Sequence, residues 1–127
     1  FAAAWIGAQA ALVANSRAHV GLSRLLMGGA AAISLAAAAA LVWAPYATNM
    51  DPTVHVHPAI VWTLVIWTAA HGAVGALMLA YCLARSLAGR LTPVFDIDIH
   101  NVALYWHFMA ATALATVVTI SLFPLLV

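Results

Sequence analysis

The stretch that decides the fold runs from Pro58 to Arg85, "PAIVWTLVIWTAAHGAVGALMLAYCLAR", and it contains no charged residue before Arg85. A membrane-spanning helix needs about 20 consecutive apolar residues, so this stretch is long enough to cross a bilayer. Inside hydrocarbon, only helices and closed barrels satisfy their own backbone groups. The unbroken apolar run lacks the alternation of a barrel strand. The stretch therefore predicts a transmembrane helix.

The composition of the whole chain points the same way. Of its 127 residues, 67% are hydrophobic and 6% are charged, whereas a soluble domain carries about 25% charged residues. The formal net charge is +1 and lysine is absent, so there is no basic patch for nucleic acid. The single cysteine, Cys82, excludes an internal disulfide. These properties predict an integral membrane protein.

The pattern predicts an all-α protein, an antiparallel transmembrane helix bundle forming one domain over residues 1–127. The helices are expected at about 1–14, 22–43, 58–85 and 99–125. Asp98 is expected to cap the last helix. The first apolar segment is too short to span alone and reads as the second part of a helix. We therefore expect the chain to be a piece of a longer polypeptide.

The arginines predict the orientation of the bundle. All four fall in or beside the first and third connections, which alternating helices bring to one side: Arg17, Arg24, Arg85 and Arg90. The positive-inside rule makes that side cytoplasmic. The C-terminus then lies on the periplasmic side, as does the connection that contains His55 and His57. In a bacterium, this placement corresponds to the inner membrane.

Small residues recur at every fourth position in two helices. One stripe consists of Gly28, Ala32, Ala36, Ala40 and Ala44. The other consists of Gly72, Ala76, Ala80, Ala84 and Ala88. Stripes of this kind let helix backbones approach closely, so both are expected at helix–helix contacts.

The histidines do not form an obvious metal or haem site. His71 lies roughly 20 Å from the outer side and His107 roughly 9 Å from the inner side, at 1.5 Å per residue. In a core of roughly 30 Å, their depths differ by around 10 Å, too much for one haem iron. His55 and His57 could chelate a metal, but no cysteine or glutamate stands nearby. We predict no metal site.

The chain also lacks the usual catalytic sets. Its only acids are Asp51, Asp96 and Asp98, all placed in connections, so no carboxylate pair lies within a helix. No serine or cysteine nucleophile has a matched base. By itself the sequence is typical of a packing and interaction module, with no catalytic residue predicted.

Two blocks resemble subunit III of the haem–copper (cytochrome c) oxidases. The family's penultimate helix carries a histidine, a glycine four residues on and an arginine at its end, here His71, Gly75 and Arg85. Its last helix carries an aromatic–Trp-His-Phe motif, here "YWHF" at 105–108. The spacing between the blocks matches without a gap. The resemblance spans essentially the whole chain, as the last four helices of a seven-helix subunit.

The resemblance implies an accessory, non-redox domain in a proton-pumping terminal oxidase of aerobic respiration. Such a domain packs against subunit I, in a complex with subunit II, binds phospholipid and sustains proton uptake. Haem and copper are then held by the partner subunits, and none is expected in this chain. The implied lipid-contacting residues are His71, Arg85, Trp106 and His107. The final segment is similar to oxidases in which subunits I and III are fused.

Two positions depart from the family pattern. His100 stands where the family has a glutamate, and Ala110 stands where it has an aspartate, so the roles of those acids do not transfer. The electron donor, cytochrome c or quinol, stays open. So do two alternatives: an accessory subunit of a nitric oxide reductase, and a small haem b electron carrier.

Overall fold

The computed structural model describes the backbone of residues 1–126 and the side chains of residues 1–122. Within that part of the chain the fold is all-helical, without strands: α1 (Ala2–Ser16), α2 (Val20–Ala47), α3 (Val56–Leu87) and α4 (Ile97–Leu126). Each helix packs against the next, and α4 returns to contact α1. The predicted all-helical fold with four helices is confirmed for the described residues, and the seven-helix subunit to which they were assigned stays a prediction.

Three of the helices are long and apolar enough to cross a membrane. The spans are Val20–Ala47, Val56–Leu87 and Ile97–Leu122. Helix α1 has 15 residues, fewer than the roughly 20 that a span needs. These lengths agree with the predicted integral membrane protein.

The helix boundaries differ from the predicted ones where prolines occur. Helix α2 continues to Ala47, with Pro45 buried in its last turn, whereas the prediction ended at 43. Helix α3 begins at Val56, two residues before Pro58. A proline in the first turn breaks no intrahelical bond, because the first four N–H groups of a helix have no partner.

The predicted cap of the last helix is wrong. Asp98 is the second residue of α4 rather than the residue before it. Asp96 precedes the helix, and its carbonyl accepts the backbone N–H of His100 at 3.1 Å. The Asp98 side chain instead pairs with Arg85 on the neighbouring helix.

The core follows a repeat of alternating three- and four-residue steps. In α3 the buried line consists of Val61, Val65, Thr68, Gly72, Gly75, Leu79, Cys82 and Ser86. In α4 it includes Ile99, Val102, Trp106 and Met109. An average step of 3.5 residues keeps one seam facing the partner helix in a left-handed bundle. The packing thus resembles that of a coiled coil.

The predicted small-residue stripes coincide with this core only in part. In α3, Gly72 and Ala76 are buried, whereas Ala80 and Ala84 are exposed. In α2 the predicted stripe lies mostly on the exposed side, and the buried line runs through Ser23, Met27, Ala30, Ser34 and Ala38. A strict four-residue spacing overshoots the 3.6-residue turn, so such a stripe drifts around the helix instead of following one contact.

Each pair of neighbouring helices is joined by at least one polar side chain. Ser23 donates to the Ala11 carbonyl at 2.9 Å and joins α2 to α1. Ser34 donates to the Gly72 carbonyl at 2.8 Å and joins α2 to α3. Gln9 donates to the Ala103 carbonyl at 2.9 Å and joins α1 to α4. In an apolar surrounding, such hydrogen bonds help to set the rotation of one helix against another.

Candidate functional site: the α3–α4 seam

The two blocks that carry the resemblance lie against each other across α3 and α4. A Cβ placed on Gly75 would be 3.0 Å from Cζ2 of Trp106 and 3.1 Å from Cε1 of Tyr105. The absence of a side chain at Gly75 therefore lets the aromatic pair pack directly on the α3 backbone. The Tyr105 hydroxyl donates to the His71 carbonyl at 2.8 Å. These contacts join the two blocks into one seam.

At the arginine end of the seam, Arg85 pairs with Asp98. Nη1 of Arg85 lies 2.5 Å from Oδ2 of Asp98, and the two side chains are 34% and 22% exposed. The guanidinium also lies 5.9 Å from the centre of the Tyr81 ring. Arg85 is the last-turn cation of α3, where positive charge complements the helix dipole. It is the predicted lipid residue that lies at an end of the bundle.

The other arginines cluster at this same end. Arg24, near the start of α2, donates from Nε to the Ser86 hydroxyl at 3.0 Å and from Nη2 to the Ser86 carbonyl at 2.5 Å. Arg17 follows α1 and Arg90 follows α3. The structure thus places all four positive charges at one end of the helices.

His71 lies far from that end. It is the sixteenth of the 32 residues of α3, about 21 Å from Arg85 along the axis at 1.5 Å per residue. Its Nδ1 lies 2.8 Å from the Trp67 carbonyl. Its ring centre is 4.5 Å from the Trp67 ring and 6.2 Å from the Phe108 ring. His71 therefore occupies an aromatic setting at mid-helix.

Trp106 and His107 occupy different environments although they are adjacent in the chain. Trp106 is 0% exposed, in the core of the bundle. His107 is exposed, and its Nδ1 accepts the Nε1–H of Trp5 on α1 at 3.2 Å. Trp106 packs against Gly75 of α3, and His107 contacts Trp5 of α1. Beside His107 a groove of about 660 Å³ runs between α1 and α4, lined mainly by alanine, leucine and valine.

The four predicted site residues do not converge on one ligand. Arg85 lies at the polar end, His71 at mid-helix and Trp106 within the packed core. A single headgroup could not touch all four. Lipid contact by these residues stays a prediction, and Arg85 has the position and exposure that such a contact requires.

The register of the seam also places the two deep histidines relative to each other. Gly75 faces Trp106, and the Thr68 hydroxyl lies 3.0 Å from the Thr116 hydroxyl. His71 and His107 are therefore offset by about four residues, roughly 6 Å, less than the 10 Å that the sequence predicted. Their rings point to different sides of α4, toward Phe108 and toward Trp5 respectively.

The connection between α2 and α3 contains a separate polar group. The Thr53 hydroxyl and backbone N–H donate to Asp51 at 2.7 and 2.8 Å, and these bonds, the hydroxyl first, lower the pKa of the Asp51 carboxyl below its usual value. His55 accepts the His57 backbone N–H at 3.4 Å and so caps α3. Among the residues that the structure describes, no three His, Cys, Asp or Glu side chains cluster as metal ligands.

The sequence analysis did not predict the partners of several seam residues. Thr68 and Thr116 are buried and bonded to each other, and Asp98 is the partner of Arg85. A hydroxyl or carboxylate within an apolar helix could have indicated these residues, since such groups in lipid usually have a partner. Which residue is the partner depends on helix rotation and register, and the sequence does not show either.

No protein-family model, no curated protein and no solved structure matches this chain. The side chains of the α3–α4 seam therefore carry the functional inference.

Proposed function

We propose that this chain is an accessory, non-redox transmembrane domain of a proton-pumping terminal oxidase, a cytochrome c oxidase. The supporting observation is that residues of the two resembling blocks, Gly75, Tyr105 and Trp106, pack together in the α3–α4 seam. Tyr105 bonds to the His71 backbone, and Arg85 bonds to Asp98, which lies outside the blocks. Residues far apart in sequence thus serve one contact.

In this role the bundle acts as a rigid packing partner of subunit I. Its exposed side chains are large and apolar along α2 and α4, for example Leu25, Leu35, Leu104 and Leu114. Such surfaces suit lipid tails and neighbouring helices. Subunit I, fused to this chain or separate, and subunit II would complete the complex and hold its haem and copper. The full accessory subunit would contain seven helices.

Arg85 is the phospholipid anchor in this proposal. Asp98 occupies Nη1, which leaves other guanidinium N–H groups to bind a phosphate oxygen. The planar guanidinium suits that geometry better than a lysine ammonium would. His71, Trp106 and His107, predicted as further lipid contacts, lie deeper and would meet acyl chains or protein. The positive charges at the arginine end of the bundle place that end on the cytoplasmic side. The C-terminus would then lie on the periplasmic side of a bacterial inner membrane.

The test is to solubilise native membranes mildly, capture the full-length polypeptide that contains this chain, and map the peptides that accompany it. We expect peptides from a haem–copper subunit I and an oxidase haem spectrum. A nitric oxide reductase subunit in its place would assign the chain to that complex. Haem bound to the captured chain without any catalytic subunit would contradict the accessory role.

The lipid anchor has its own test in the captured complex. Arg85→Ala should reduce the phospholipid retained per complex and shorten the catalytic lifetime during turnover. Arg90→Ala is the matched control, because Arg90 is an exposed arginine at the same end. Equal phospholipid content in both variants and in the parent would remove Arg85 as the anchor.

A further inference from the structure

The hydrogen bond of His71 determines which of its ring nitrogens carries the proton. Nδ1 lies 2.8 Å from the Trp67 carbonyl oxygen, and a carbonyl oxygen can only accept. Nδ1 therefore carries the proton. In a neutral imidazole with the proton on Nδ1, Nε2 presents an acceptor lone pair. Among the described residues, no hydrogen bond reaches Nε2.

The depth of His71 limits what can donate to that nitrogen. His71 is the sixteenth of 32 residues in α3, about 23 Å from either end of the helix. That distance exceeds half of a hydrocarbon core, about 15 Å, so a phospholipid headgroup at either end of the helix lies out of reach. Acyl chains contain no hydrogen-bond donor. A side chain of another transmembrane helix can provide a donor at this depth.

The surface around His71 has the shape and chemistry of a helix contact. His71 and the exposed apolar side chains around it on α3 and α4 form what we call the His71 face: Trp67, His71, Val74, Leu104 and Phe108. Apart from His71, these side chains are between 47% and 69% exposed. Apart from the indole N–H of Trp67, the other side chains of the face are apolar, and Nε2 of His71 is its acceptor. A helix that packs there would cover the apolar side chains and satisfy Nε2 together.

We propose that the His71 face docks a transmembrane helix of a partner polypeptide, and that this helix donates an O–H or N–H from a serine, threonine, asparagine, glutamine, tyrosine or tryptophan side chain to Nε2 of His71. The inference goes beyond the proposed function, because it holds for any membrane partner. It gives His71 a protein contact instead of a lipid headgroup contact.

The first experiment leaves His71 intact and replaces Val74, on the His71 face, with a photo-crosslinking amino acid in the full-length protein in native membranes. After irradiation we expect a cross-link to a transmembrane peptide of a second polypeptide that contains one of those donor residues; a peptide of the same polypeptide would contradict the proposal. Leu35 on α2, which is 52% exposed, is the matched control position. Lipid adducts alone at Val74, no product there, or the same peptide from both positions would overturn the proposal.

The second experiment measures the contribution of the acceptor. His71→Phe keeps a planar ring of similar size and removes Nε2. One intramembrane hydrogen bond corresponds to about a threefold to tenfold change in association. Without cross-linking, retention of the partner identified in the first experiment should therefore fall by that factor after detergent extraction. His100→Phe, exposed and outside the His71 face, should retain the partner. Equal retention in both variants would contradict a hydrogen bond to His71.

The outcomes separate this inference from the proposed function. If an oxidase subunit co-purifies but Val74 meets only lipid, the oxidase assignment stands and the docking proposal fails. If Val74 cross-links to a donor-bearing helix of a protein from another kind of complex, docking stands and the oxidase assignment fails.

Discussion

Gly75 determines how closely α3 and α4 approach each other. A methyl group there would lie 3.0 to 3.2 Å from atoms of Trp106 and Tyr105, closer than these packed rings can easily accept. Trp106 has little room to move, since it is 0% exposed in the core. The smallest residue is therefore required where the largest one packs.

Gly75→Ala should destabilise the bundle by about 1–3 kcal/mol, the usual cost of overpacking. Gly29→Ala is the control: nothing lies within 4 Å of its added Cβ, so it should be neutral or stabilising by up to about 1 kcal/mol through helix propensity. Thermal unfolding in detergent can be followed with a thiol-reactive dye, because Cys82 is buried until the bundle opens. Equal unfolding temperatures for the two variants would contradict this packing.

The bond between Thr68 and Thr116 joins the same helices at greater distance from the arginine end. The oxygens lie 3.0 Å apart in a buried setting. Thr68→Val should cost about 1 kcal/mol in unfolding free energy, because it leaves a hydroxyl without its partner. Thr68→Val with Thr116→Val should recover part of that loss.

Thr119→Val is the control for that pair. Thr119 is exposed and bonds to the Ala115 carbonyl of its own helix at 2.8 Å, so its loss should change stability by less than about 0.5 kcal/mol. If Thr68→Val is as mild as this control, the hydroxyl pair does not stabilise the seam.

At the scale of the helices, α1, α2 and α3 share one way of ending. The residue two positions beyond each helix has a positive φ: Ala18 at 60°, Asn49 at 50° and Gly89 at 69°. The next N–H then bonds back to a carbonyl in the last turn, as with His19 to Ala14 at 2.9 Å. This is the Schellman motif, in which glycine is the least strained residue.

Ala18→Gly should stabilise the protein by about 1 kcal/mol, because alanine is strained in the left-handed region and glycine is not. Gly89→Ala should have the opposite sign and similar size for the same reason. The same dye-based unfolding assay measures both. A loss of stability in Ala18→Gly would show that the α1 end does not adopt this turn in the membrane protein.

The ends of α3 and α4 are tied by Arg85 and Asp98. Both side chains are partly exposed, so solvent screens the pair. Asp98→Asn should cost about 1 kcal/mol in unfolding free energy, the upper part of the range for partly exposed pairs. Asp96→Asn is the control, since Asp96 meets His100 within one turn at 3.3 Å and joins no second helix. Equal losses would indicate that the tie between helices adds nothing.

At the scale of the whole molecule, the arrangement of charge predicts the topology. We expect an impermeant maleimide to label Val54→Cys from the periplasmic side and Ala88→Cys only after the membrane is opened, both in a Cys82→Ala background. Val54 is 76% exposed in the connection between α2 and α3, and Ala88 follows α3 beside Arg90. Labelling of both from the same side would contradict the antiparallel arrangement of the bundle.

The sequence by itself determined the class and the helices of this protein. Hydropathy and length are properties of each segment, so α2, α3 and α4 and the common end of the arginines were predictable. The ends of the helices were harder to predict, because the cost of a proline depends on its position within the helix, as Pro45 and Pro58 show.

The tertiary structure alone decided which residues meet. The sequence suggested Gly28 and the alanines after it for the α2 contact, but the buried line passes through Ser34 instead. The sequence pointed to Arg85 but not to Asp98 as its partner, and to His71 but not to its bond with the Trp67 carbonyl. Partners depend on the rotation and register of each helix. Those are set when four seams pack at once, because a rotation that buries one side chain moves every other side chain on that helix.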